Sequence, residues 1–263
     1  MRPPTLPTLL LLAVAAAGAQ ACKDTPTAAT DTVGDLSSAA AGASATRAGT
    51  PVAATGDASF TRNFRLEDCD FQTVGANPFF PLKPGLTTVL EGVVDGAPTR
   101  LKITVLHQTL EVGGVKTRVV EEREEVNGVL FEVSRNYFAH CRENGTVFYF
   151  GEDVDFYENG QIVSHEGAWR HGANGAKAGV IMPGIALLGA RYFQEVAPGI
   201  ALDRAEILDL NARADTPLRQ FGNALLTEET TPLDPEDIGS KTYVAGIGLV
   251  ADKTLRLVRV DGR

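Results

Sequence analysis

The dipeptide Asn-Gly recurs at 127–128, 144–145, 159–160 and 174–175, and no other feature constrains this chain as tightly. Asn-Gly favours the type I′ turn, whose two central residues both take positive φ, and that turn joins neighbouring antiparallel strands. The intervals, about 15–17 residues, suit long strands joined by tight turns and so an up-and-down meander. Asp95-Gly96 and Gly113-Gly114 extend the pattern upstream. The runs between the turns alternate in polarity with the period of a strand. Leu101, Ile103 and Val105 are interleaved with Lys102 and Thr104. Val129, Phe131, Val133, Tyr137, Ala139 and Cys141 share one face of a longer run, and Glu132, Ser134, Asn136, His140 and Arg142 share the other. On this reading His140 is solvated. Gly151 and Gly167 fall inside strand patterns, where they permit bends or bulges. The expected fold is all-β: an antiparallel meander forming a curved sheet, barrel or half-barrel. Val147–Phe150 and Gln161–Trp169 continue it. Ala176–Ala190, apolar and broken by Pro183, reads as a crossing loop or lid. Strands resume over 191–197, 205–210, 225–230, 241–251 and 255–260.

The N-terminus follows a different logic. Arg2 precedes an uninterrupted apolar stretch, Leu9–Ala17, and then Ala19-Gln20-Ala21-Cys22. That stretch has the length of a signal-peptide core and is too short to span a bilayer. Residues 1–21 are therefore expected to be a signal peptide. The Cys after the small-residue cleavage site resembles a lipobox, which would acylate Cys22 with diacylglycerol and palmitate-type chains. Ala19 stands where lipoboxes favour Leu, so secretion with an unmodified Cys22 is the alternative. More than one acyl chain is needed for stable anchoring. In residues 23–59, Ala, Thr, Gly, Ser, Asp and Pro supply 32 of 37 positions. Such a segment cannot bury enough apolar surface to offset its ordering entropy. Residues 22–59 are expected to form a lipid-anchored tether spanning about 35 Å on average, with a β-rich domain over 60–263.

The chain has three cysteines. Lipidation of Cys22 leaves Cys69 and Cys141 as an even pair in a compartment that permits disulfides. A bridge between them would close a loop of roughly 70 residues, for which chain entropy gives at most about 4–4.5 kcal/mol.

Three prolines fall within Asn77-Pro78-Phe79-Phe80-Pro81-Leu82-Lys83-Pro84-Gly85, which rules out a regular helix or central strand there. This segment resembles the opening motif of a group of uncharacterised exported bacterial β-rich proteins, many of them predicted lipoproteins. Val147-Phe148-Tyr149-Phe150-Gly151-Glu152-Asp153 and Gly167-Ala168-Trp169 are similar to that group's central strands. Thr231-Pro232-Leu233-Asp234-Pro235 followed by Lys241-Thr242-Tyr243-Val244-Ala245-Gly246-Ile247-Gly248-Leu249-Val250 resembles its C-terminal hairpin. Ala245 departs from the pattern, which has Pro there. The resemblance implies an exported β-rich domain and implies no activity.

Catalytic signatures are sparse. A net charge of −9 argues against binding nucleic acid or docking on anionic lipid by charge. There is no Gly-x-Ser-x-Gly elbow and no phosphate-cradling Gly-rich loop between strand and helix. His165 and His171 have a spacing seen in zinc sites, and Glu152, Asp153 and Asp155 faintly resemble a calcium loop. Ordinary surface roles are preferred for both, so no metal and no cofactor is expected. Glu121, Glu122, Glu124 and Glu125 read as a solvated strand end. The aromatics, above all Tyr137, Tyr149 and Trp169, are candidates to line a ligand cavity. The leading functional expectation is a non-catalytic, lipid-anchored envelope protein on the outer membrane or periplasmic face. Its partner would be an apolar small molecule, a lipid or another envelope protein. The alternatives are an exported hydrolase using acidic residues, which requires two carboxylates converging in a cleft, and a purely structural envelope domain.

Overall fold

The computed structural model describes residues 59–262. The expected signal peptide, Cys22 and the tether lie outside the described residues. Among those residues the one helical element is a short 3-10 turn, Leu66–Asp68. The rest is strand: β1 (Phe71–Gln72), β2 (Thr87–Val94), β3 (Ala97–Val112), β4 (Val115–Val126), β5 (Val129–Cys141), β6 (Val147–Glu158), β7 (Gln161–Ser164) and β8 (Trp169–Arg170). There follow β9 (Lys177–Met182), β10 (Arg191–Phe193), β11 (Glu195–Val196), β12 (Arg204–Asp215), β13 (Gln220–Thr231), β14 (Asp234–Val244), β15 (Gly248–Asp252) and β16 (Leu255–Asp261).

The strand order is β10-β12-β13-β14-β15-β16-β2-β3-β4-β5-β6-β9-β11, with β1 paired to β5 and both β7 and β8 paired to β6. These strands pair antiparallel throughout. The two ends of that path, β10 and β11, are separated in the chain by Gln194 alone. One short segment thus bonds β12 through its first half and β9 through its second, and the sheet nearly closes into a barrel. The all-β meander expected from the turn spacing is the observed architecture.

The turns behave as their chemistry requires. Asn127 and Gly128 both have positive φ, as do Asn159 with Gly160 and Asn174 with Gly175. Asp95-Gly96 and Gly113-Gly114 do likewise between β2, β3 and β4. Asn144-Gly145 differs: only Gly145 takes positive φ, and the wider β5–β6 connection is closed by the Gly145 amide donating to the Cys141 carbonyl at 2.9 Å. At Gly151 the backbone has φ 146°, and a Cβ would stand 2.5 Å from the Trp169 carbonyl oxygen. The bend there lets β8 pair with β6.

Three expectations need correction. Residues 177–182 form a strand, not part of a loop. Gly179 makes this possible, because a Cβ there would lie 2.5 Å from the Phe193 and Gln194 carbonyl oxygens, where β11 comes alongside. Residues 183–190 remain a connection, with Ile185, Leu187 and Leu188 facing solvent. His140 is buried, its ring packed against Gly75, and burial pulls its pKa down. Glu124 is likewise buried, so the acidic run on β4 is not a solvated end.

The register explains the last two. Val120, Glu122 and Glu124 pair with Asn136, Ser134 and Glu132 on β5, and with Val105, Ile103 and Leu101 on β3. All of these project to the barrel interior. Here the polar face of β5 is the inner one. Its apolar face points outward, and at the Ala139–Cys141 end the leading residues of the domain cover it. Phe71 meets Phe148 and Phe150 edge-on at 5.6 and 5.1 Å, and Phe64 meets Phe148 at 5.9 Å. Cys69 is bonded to Cys141 beneath this layer. Full burial of each aromatic ring contributes roughly 1.5–3 kcal/mol.

Candidate functional site

The polar inner face of β5 has consequences for charge. Glu122, Glu124, Glu132, Glu152, Glu229 and Asp252 project from β4, β5, β6, β13 and β15, and Lys241 on β14 is the basic group among them. Lys241 Nζ pairs with Glu229 Oε2 at 2.7 Å. Burial pulls the Lys241 pKa down, but Glu229 and Asp252 outweigh it and hold the ammonium charged. Glu122 and Asp252 feel the same ammonium without an ion pair to it, and Glu124, Glu132 and Glu152 have no cation beside them. Burial pushes Glu132 up to about 8, helped by repulsion from Glu124 and Glu122. It pushes Glu124 and Glu122 up to about 7. Asp252 rises to about 6, with Lys241 restraining it. Glu152 lies well above the usual carboxylate range for the same reason. The network runs on to Glu195 and Asp203 by the closing segment; both are raised by burial, and the Asp203 amide donates to Glu195 Oε1 at 2.6 Å. Buried oxygens of Glu124, Glu132, Glu152, Glu195 and Asp252 have no hydrogen-bond partner. A buried carboxylate without a cation favours its neutral, protonated form.

A cavity of about 70 Å³ opens beside this acidic layer. A single water needs roughly 10–15 Å³, so the space accommodates several waters or a small organic group. Its walls are apolar: Leu86, Ile103, Val105, Val120, Phe138 and Ile181. Its polar end carries Thr88, Glu122, Lys241, Tyr243 and Asp252. Glu122 is only half-buried by surface exposure because it faces this space, though it lies deep within the protein.

Two distant segments complete the lining. Phe80 and Pro81 come from the proline-rich lead-in, and Ile247, Gly248 and Leu249 from the β14–β15 hairpin. The Gly246 amide donates to the Pro78 carbonyl at 2.8 Å and ties the two together. Asn77 fixes the lead-in. Its Oδ1 accepts from the Phe79 and Phe80 amides at 3.0 Å each, while its Nδ2 donates to the Gly145 and Pro183 carbonyls at 2.9 and 3.1 Å. Phe80 then packs edge-on against Phe138 at 4.9 Å. The lead-in, rather than the 183–190 connection, borders the cavity.

None of Tyr137, Tyr149 and Trp169 lines this cavity. Tyr149 and Trp169 pack against each other edge-on at 5.1 Å elsewhere in the interior, and the Tyr149 hydroxyl donates to Asn136 Oδ1. Tyr137 faces outward, with the Arg170 guanidinium 4.3 Å from its ring centre and its hydroxyl donating to Asp153 at 2.7 Å. Asp153 also receives Arg170 Nη2 at 2.6 Å, and Asp155 receives Arg135 at 3.1 Å. His165 lies 2.9 Å from Asp155, while His171 Nδ1 accepts from the Ala178 amide at 3.0 Å, so the two imidazoles serve separate places. Among the described residues, the one set of three potential ligands drawn close together is Cys69, Cys141 and Glu143, where both sulfurs are already in the disulfide.

The cavity residues that sequence reading missed are Glu122, Lys241, Tyr243 and Asp252. Alternation along β5 grouped Glu132 with a polar face, but nothing local marked that face, or the one carrying Glu122 and Glu124 on β4, as the inner one.

No family model and no curated protein matches this chain. Among solved structures it is similar to a candidate lipoprotein from Parabacteroides distasonis, at 12% identity, with 72% of this chain and 100% of that one covered and a TM-score of 0.34. A superposition that loose does not establish a shared fold.

Proposed function

We propose that this chain is a non-catalytic cell-envelope protein, held to a membrane through Cys22, whose barrel takes a small, mainly apolar molecule. The cavity supports this reading more than any other observation. It is walled by aliphatic side chains, ends in a few convergent polar groups, and is bordered by segments from opposite ends of the domain, as ligand sites commonly are. Native mass spectrometry of the mature protein isolated from membranes tests both halves. The expected result is acyl mass on Cys22 and a non-covalent adduct that Val105→Trp, filling the cavity, abolishes. An unmodified Cys22 in a secreted protein would overturn the anchoring. An adduct that survives Val105→Trp would move the ligand elsewhere.

One observation favours a hydrolase instead. Glu122 and Asp252, both with raised pKa, face the same space, and paired carboxylates of different acidity are what general acid–base catalysis uses. A panel of glycosides, esters and peptides decides between the readings. Turnover lost in both Glu122→Gln and Asp252→Asn would establish the enzyme, and no turnover of any substrate leaves the binding role.

A further inference from the structure

The chemistry of the cavity's polar end specifies the ligand further, given the binding role just proposed. We propose that the ligand is an amphipathic amine, its hydrocarbon part against Ile103, Val105, Phe138 and Ile181 and its ammonium between Glu122 and Asp252.

The first support is a charge deficit. Lys241 is the cation at this end, and its ammonium is committed to Glu229 at 2.7 Å. Its charge also acts on Glu122 and Asp252, but its one ion pair here is with Glu229, so two carboxyls at the cavity share the remaining influence of a single, already paired cation. The second support is an orphaned acceptor. Asp252 is 4% exposed, lines the cavity, and its Oδ2 has no hydrogen-bond partner. A buried acceptor left empty costs about 1–3 kcal/mol, and an ammonium group brings three N–H donors to such a site. The hydroxyls of Thr88 and Tyr243 offer further acceptors.

The same features disfavour other ligands. A carboxylate or phosphate would meet two acids and a lysine already paired. A bare divalent cation needs several oxygens converging on one point, and no three acidic ligand atoms are drawn close together here among the described residues. The apolar wall would serve no purpose for a metal ion and suits the body of an organic cation.

Titration calorimetry with hexylamine, hexanol and hexanoate at pH 8, where both acids are largely ionised, tests the proposal on the full mature protein. Methyl NMR shifts of Ile103 and Ile181 report whether binding occurs in the cavity. Hexylamine should bind at least tenfold more tightly than hexanol, with hexanoate weakest. Asp252→Asn and Glu122→Gln should each reduce the preference for the amine while leaving hexanol binding in place. Equal binding of hexylamine and hexanol to the unaltered protein overturns the amine proposal and leaves the apolar-ligand reading standing. If none of the three perturbs the methyl signals, both readings fall. An amine preference undiminished when Asp252→Asn and Glu122→Gln are combined also overturns the proposal, because its cation site would lie elsewhere.

Discussion

The two faces of β5 and β6 invert the usual arrangement of a small β domain. Outside, Ala139, Cys141, Phe148 and Phe150 are buried beneath Phe64, Cys69 and Phe71. Inside, Glu132, Asn136 and Glu152 are just as inaccessible and are surrounded by further acids. The outer layer is stabilised by removing apolar surface from water, and it is stapled by the disulfide. The inner layer keeps several carboxyl oxygens without partners, at a cost to stability. One sheet thus carries a structural face and a face whose groups are poised for protons or ligands. Native proteins tolerate unsatisfied buried polar groups mainly where they serve a function.

The contrast predicts opposite signs for substitutions on the two faces. The largest loss is expected outside: Phe150→Ala should destabilise by about 3–5 kcal/mol in denaturant titrations, and a change below about 1 kcal/mol would show that the outer layer is not the stabilising one. Next, replacing both Cys69 and Cys141 by Ser should cost about 3–4 kcal/mol, with the same loss on reduction of the unaltered protein.

Inside, the sign reverses and depends on pH. A carboxyl whose folded pKa is raised binds its proton more tightly when folded, so its penalty is absent below the unfolded value and grows as pH rises towards the folded value. Glu132, pushed up to about 8, should therefore make the melting temperature fall between pH 5 and pH 8. Glu132→Gln should flatten that slope and raise stability at pH 8 by about 1–2 kcal/mol, with little change at pH 5. A melting temperature that climbs over this window in the unaltered protein would contradict the acidic interior.

The smallest effect belongs to the outward carboxylate Asp153. Burial pushes its pKa up, but the bonds from Arg170 and Tyr137 outweigh this and leave it below the usual range. Its contribution is present above the unfolded pKa and lost as pH falls through the folded one. Because Asp153 is about half exposed, solvent screening limits that contribution to no more than about 1 kcal/mol. The effect of Asp153→Asn should fade as pH falls below the ordinary carboxylate range, and an effect at neutral pH comparable to that of Phe150→Ala would blur the distinction between the faces.

Much of the scaffold was legible from local chemistry. Asn127-Gly128, Asn159-Gly160 and Asn174-Gly175 mark turns because their backbones need positive φ, whatever surrounds them. The parity of Cys22, Cys69 and Cys141 pointed to one bridge. The strand at 177–182 was missed because an apolar, Gly-containing run shows no alternation when both of its faces are buried.

The site was far less legible. Alternation along β5 separated Glu132, Ser134, Asn136 and His140 from Val129, Phe131, Val133, Tyr137, Ala139 and Cys141; the division holds from Glu132 onward, while a register shift against β4 breaks it before that and leaves Val129 exposed. Which set faces inward is not a local property. It was decided when residues 191–196 joined β12 to β9 and when residues 64–71 covered the apolar face. The cavity is likewise a product of closure, since Phe80, Glu122 and Asp252 meet only after the sheet has curved. Hydrogen-bonded turns are fixed by a few adjacent dihedrals and can be read from the sequence. Sidedness and enclosure depend on contacts between separate strands and segments, some neighbouring in the chain and some, such as β16 with β2, at its opposite ends, and only the tertiary structure supplies them.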